Sequence, residues 1–266
     1  MYNKMIINGL EILGSNSNYY SNLYNFLLDS SNTNNDSELY SNGSYNGSSK
    51  INPKTFTLVV NTKKYRDIKS AMHLTYVVSE GEVSFIVDVE EFGEVECLVK
   101  KESITTDDTG EMTITLKMCN PYIFSKNYKE IILEKQIEGG WKFPTSAFII
   151  PESWSYTENV KGNEGECINE GFATVYPEIL IEGEARKFNI LNKTTGEQLN
   201  IDASIQTGEL LYVDCRPDTR VIKINDVSAI KYKTGQYISL VTGSNELEID
   251  YEGECTVKIR WREAWI

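Results

Sequence analysis

The chain has 266 residues, 40% of them hydrophobic and 24% charged, which is ordinary globular composition and suggests one large or two ordinary domains. A formal charge of −13 and an isoelectric point near 4.7 exclude binding nucleic acid through clustered phosphate contacts. The densest basic cluster is Lys63-Lys64 with Arg66. No apolar run reaches the ~18–20 residues of a membrane span, and the N-terminus lacks the basic and apolar regions of a signal peptide.

Met5–Leu13 alternates weakly and predicts a first strand. Residues 15–49 are rich in Ser and Asn with interspersed Tyr19, Tyr20, Tyr24, Tyr40 and Tyr45, and predict a long loop or an arm that orders against a neighbouring subunit. Only Leu23, Phe26, Leu27 and Leu28 are available to anchor it. Phe56–Val60 reads as a strand. Asn61 or Thr62 is placed to cap a helix over about Lys63–Thr75, with Tyr65, Ile68 and Met72 on one face. Glu82–Val89, Glu94–Lys101 and Met112–Met118 follow as strands, punctuated at Glu80-Gly81, Phe92-Gly93 and Asp107-Asp108-Thr109-Gly110. One helix on a small sheet is an α+β unit. Residues 127–162, with Gly139-Gly140, Pro144, Pro151, Trp141 and Trp154, read as an extended connector with aromatic anchors.

From Asn163 onward the chain predicts an antiparallel β-sandwich. Its end reads as a hairpin. Leu247, Ile249 and Tyr251 alternate with acids, and Cys255, Val257, Ile259 and Trp261 alternate with polar residues. A Glu252-Gly253-Glu254 loop would pair Tyr251 with Cys255 and Ile249 with Val257, and would set Glu248 opposite Lys258 and Glu246 opposite Arg260.

No constellation for chemistry emerges. The single histidine, His73, lies in the predicted helix and reads as a helix-surface residue. No CxxC pair, P-loop, G-x-G-x-x-G or G-x-S-x-G occurs. Glu90-Glu91 and Asp107-Asp108 fall at turns and read as solvated. Cys97, Cys119, Cys167, Cys215 and Cys255 read as reduced core thiols. Asn42 and Asn46 match glycosylation sequons, which matter only to a secreted chain. We therefore expect no catalytic, cofactor or metal residues.

Several words in the second half carry a family resemblance. They are I-N-x-G at Ile168–Gly171, Y-P-E-I-x-I-x-G at Tyr176–Gly183, N-x-T-T-G-E at Asn192–Glu197 and G-E-L-L-x-V-D at Gly208–Asp214. This collinear series resembles the galectin-like C-terminal domain of phage distal tail proteins, the siphovirus-type tail components. Gly139–Pro144 resembles the approach to that domain, and Met118–Tyr122 the end of the N-terminal one. The resemblance implies a mainly β protein. An N-terminal α+β, barrel-like domain with one helix (1–126) would close a ring. A connector (127–162) and a galectin-like sandwich (163–266) would follow. It further implies a non-enzymatic virion tail-tip component, assembled in the host bacterial cytoplasm. Six copies would join the tail tube to the hub or tail-associated lysin and let the genome pass, with receptor-binding or baseplate proteins as further partners. A carbohydrate-binding module is the alternative, with Trp261, Trp265 and Tyr237 as candidate stacking faces. By alternation Trp261 falls on the buried side.

Overall fold

The computed structural model describes residues 2–27, 32–33, 36–38, 44–46, 50–51, 53–64, 67–107, 109–134, 136–138, 159–161 and 163–265. It divides into two compact units: Met1–Asn127 with Ala264–Ile266, and Tyr128–Glu263.

In the first unit, β1 (Tyr2–Ile7) and β2 (Leu10–Leu13) form a hairpin, not one strand. Asn8 and Gly9 turn it at φ 46° and 81°, the left-handed pair of a tight hairpin turn. β3 (Tyr19–Tyr24), β4 (Thr55–Thr62), β5 (Glu82–Val89), β6 (Gly93–Thr106) and β7 (Met112–Met118) complete an antiparallel sheet in the order β2-β1-β5-β6-β7-β4-β3. The sheet curls into a nearly closed barrel. Its two end strands meet where Ser21 Oγ donates to the Ile12 carbonyl at 2.6 Å. Short β8 (Ile123–Ser125) pairs with β6.

Alternation fills this barrel. Val83, Phe85, Val87 and Val89 face inward from β5, and Met112, Ile114, Leu116 and Met118 from β7. Phe26, Phe56 and Phe85 interlock at its centre, with ring centroids 5.1 to 5.8 Å apart. Phe26 and the β3 residues Tyr19 and Leu23 belong to the stretch expected as a loop, so part of that expectation is corrected. Tyrosine, leucine and hydrogen-bonded serine supply an inward face there despite the polar composition. Tyr40 and Asn42 lie outside the described residues.

The second unit is a sandwich built on two long strands, β11 (Glu178–Asn192) and β17 (Gly243–Trp261), paired antiparallel along most of their length. β9 (Lys129–Glu134) adds to the C-terminal half of β17. On the same layer β13 (Leu210–Asp214) adds to the N-terminal half of β11, followed by β14 (Val221–Ile224) and β15 (Val227–Ser228). The other halves carry β10 (Asn163–Asn169), β12 (Glu197–Ile205) and β16 (Lys233–Gly235). Each long strand thus runs from one layer into the other, the way sandwich corners are made. Lys187, at φ 56°, bulges at the corner. The last strand, β18 (Ala264–Trp265), pairs with β8 and belongs to the first unit.

The expected terminal hairpin is absent. Residues 243–261 are one strand, and Gly253 sits inside it opposite Ala185. Alternation is as read: Leu247, Ile249, Tyr251, Val257, Ile259 and Trp261 are buried. The partners differ. Ile249 pairs with Ile190, and Val257 with Ile181. Lys193 holds Glu248 at 2.9 Å, Glu130 lies 3.7 Å from Lys258, and Arg260 joins Glu178 at 2.6 Å. The glycine provides close approach between strands, which in sequence looks identical to a turn. The connector also differs from expectation, because β9 is a strand of the sandwich. Gly139–Pro144, Pro151 and Trp154 lie outside the described residues.

Candidate functional site

The helix α1 (Ile68–Val78) carries the least expected surface of the first unit. Asp67 caps it, its Oδ1 accepting from the Ser70 amide at 3.2 Å and its Oδ2 from the Ser70 hydroxyl at 2.9 Å. Those hydrogen bonds hold the Asp67 carboxyl below its usual range. The predicted caps, Asn61 and Thr62, are instead in β4, and the helix starts later than expected. Leu74, Val77 and Val78 bury its inner face, and the Tyr19 hydroxyl donates to the Ser70 carbonyl at 2.9 Å.

Ile68 and Met72, read from the sequence as sharing one helix face, are each 68% exposed, and Tyr76 is 65% exposed. The spacing i, i+4, i+8 makes them one outward apolar stripe. Beside it runs a groove of about 590 Å³ between α1 and the β6–β7 hairpin, lined by Met72, Tyr76, Thr106, Asp107 and Met112. Asp107 shapes the hairpin tip, accepting from the Thr109 hydroxyl at 2.7 Å and from the amides of Thr109 and Glu111 at 2.9 Å. Its carboxyl is held low by these bonds, the one from the Thr109 hydroxyl first.

The histidine and the cysteines are scattered. His73 is exposed on α1. No cluster of three metal-ligating side chains occurs among the described residues. Burial pushes the Cys167 and Cys215 thiols up to about 12, and that of Cys97 higher. Cys119, expected in the core, is exposed just beyond β7, and its thiol is also raised. None of these four is an activated nucleophile. Trp261 is 3% exposed. Trp265 packs on Phe92 at 5.4 Å, and Tyr237 carries Arg220 and Lys233 against its ring at 5.1 and 4.7 Å. These contacts compete with a sugar for the rings named as stacking faces.

The resemblance-bearing words turn out to be structural clamps. Buried Asn169 donates to the carbonyls of Ala173 and Leu240 and accepts from the Gly171 amide. Buried Asn192 donates to the Ser239 carbonyl at 2.7 Å and accepts from the amides of Thr194 and Thr195. Glu197 accepts from the Ser239 amide and hydroxyl at 2.6 and 2.7 Å. Buried Glu178 takes Arg260 at 2.6 Å and Arg216 at 2.9 Å, and buried Asp214 takes Arg216 at 2.7 Å and Thr219 at 2.7 Å. Burial pushes the Asp214 carboxyl up, but the bonds from Arg216 and Thr219 outweigh it and hold it below the usual range. These words pin loops to strand ends, so the resemblance is one of architecture.

Residues 170–265 match the siphovirus-type tail component, C-terminal domain. The whole chain is also similar to a solved structure, the Dit protein (gp 19.1) of SPP1. The TM-score is 0.65 at 10% identity, with 100% of each chain covered. That protein is described as a paradigm of the hub adsorption apparatus in phages infecting Gram-positive bacteria. No curated protein matches the chain. The expected fold class, mainly β with one helix, a barrel-like sheet and a second antiparallel sheet, is therefore present in the described residues, including those outside the matched segment.

Proposed function

We propose that the chain is a structural component of a phage tail tip. Six copies close a ring that joins the tail tube to the hub or tail-associated lysin and lets the genome pass. The observation that carries this reading is the full-length likeness to a hub protein, joined to the tail-component match over residues 170–265. The surface supports it. A ring needs a heterologous interface that closes, and Ile68, Met72 and Tyr76 offer an apolar stripe for a neighbouring copy. The charge of −13 suits a ring that must release DNA. Tube, hub and receptor-binding or baseplate proteins are the partners this role requires, and the virion tail is its location.

Sedimentation of the wild type and of a Met72→Glu/Tyr76→Glu double variant tests the ring surface. The wild type should contain a closed oligomer, and the variant should be monomeric with an unchanged melting temperature. Equal assembly by both would remove α1 from the interface.

A further inference from the structure

Cations in the second unit are distributed unevenly between paired and unpaired states. Lys129, Arg186, Lys187, Lys193, Arg216, Lys258 and Arg260 all make ion pairs with carboxylates. Arg220, Lys223, Lys231 and Lys233 make none among the described residues, although the Lys233 ammonium donates to the Gly235 carbonyl. Arg220 and Lys233 rest on the ring of Tyr237, and Lys231 on that of Tyr232 at 4.8 Å. The sequence signal is visible in retrospect. In a chain of charge −13, residues 216–233 hold five basic and two acidic side chains.

The same short surface is apolar as well as cationic. Ile230 and Tyr232 lie on a 3-10 turn and are 50% and 40% exposed. The turn is held to the sheet, with the Ala229 amide donating to the Ile222 carbonyl at 2.8 Å. Apolar side chains interleaved with unpaired cations differ from a surface that attracts bare polyanion. They fit a protein partner whose apolar residues cover Ile230 and Tyr232 while its carboxylates supply the missing counter-charges.

We propose that Arg220, Ile230, Lys231, Tyr232 and Lys233 form a docking surface for an acidic, apolar peptide segment of another protein. The cation–ring contacts preorganise the donors. Arg220 offers a planar fork suited to a carboxylate, and Lys231 and Lys233 contribute point charges two residues apart. The surface lies wholly within the second unit. Docking there is independent of ring formation.

Fluorescence anisotropy of a labelled synthetic peptide alternating aspartate with leucine, titrated with the full-length chain, tests this. Binding should saturate below ~1 mM at low salt and weaken as salt is added. Reversing Arg220, Lys231 and Lys233 to glutamate should weaken it at least ~tenfold, and Ile230→Ser severalfold, with melting temperatures unchanged. Replacing the two lysines by glutamine provides a milder variant that should fall between. Absence of saturable binding, or binding within twofold by the reversal variant, overturns the proposal. So does equal binding of poly-aspartate without leucine, which would make the surface a simple anion site.

Discussion

Gly183 and Gly253 lie on adjacent strands where β11 and β17 pass each other, and each leaves room for the other strand's backbone. A Cβ on Gly183 would collide with the Glu254 carbonyl oxygen, and one on Gly253 with that of Glu184. Their φ angles, 138° and 114°, are also ones that side chains resist. The pair permits two long strands to turn the corner between layers while staying hydrogen-bonded.

Either Gly183→Ala or Gly253→Ala should therefore destabilise the protein by roughly 2–4 kcal/mol, through backbone collision plus strain. Urea unfolding measures it. Gly253→Asn is the sharper probe: a hairpin loop would accept asparagine, and a strand crossing should not. Near-wild-type stability for Gly253→Asn would restore the hairpin.

Asn192, at the end of β11, ties the turn at Thr194-Thr195 to the segment at Ser239. Asn192→Leu fills the volume but orphans a buried carbonyl and two amides. A loss of about 2–3 kcal/mol is expected. Loosening should appear first as faster hydrogen exchange in residues 236–243, and protection there equal to wild type would show that the clamp is dispensable.

Asp214 gives the fold an acid sensitivity whose sign follows from its lowered pKa. A carboxyl that is more acidic folded than unfolded contributes full stability above the ordinary aspartate value near ~3.9. That contribution disappears as pH falls below this value and through the folded pKa. Melting temperature should drop across this window in the wild type. In Asp214→Asn it should start lower at pH 7 and fall less steeply. Parallel curves would mean that other groups carry the acid transition.

Residues 128–263 should fold alone as a soluble β domain, whereas a fragment beginning at 163 should not reach the same stability. The shorter piece lacks β9, which pairs along β17 from Thr256 to Trp261. It also uncovers Gly165, whose position is shaped by Leu133 and Ile131. Circular dichroism melts of the two fragments decide this, and equal melting temperatures would make β9 an appendage.

The sequence showed the β class, the one helix and most strand faces because burial alternates cleanly, as in Glu82–Val89 and Met112–Met118. It misled at Gly253, where one residue type serves both turns and close strand approach. It misled again on α1, where Asn61 and Thr62 look like caps but Asp67 caps a helix starting at Ile68; the shared face of Ile68 and Met72 is as read and points outward, while Leu74, Val77 and Val78 bury the inner face. Apolar spacing identifies a face without saying whether that face meets its own chain or another. The Tyr19–Tyr24 strand was hidden because its inward residues include Ser21, polar by composition and buried through one hydrogen bond. The surface around Arg220 and Lys233 is masked in the whole-chain charge of −13, which averages a local basic stretch away.

The central claim is a closed ring. Electron microscopy of the purified full-length chain, alone and mixed with tail tube protein, tests it most directly. The account predicts particles with sixfold rotational symmetry and an open central channel. Separate single-chain particles under both conditions, at tens of micromolar, would contradict it.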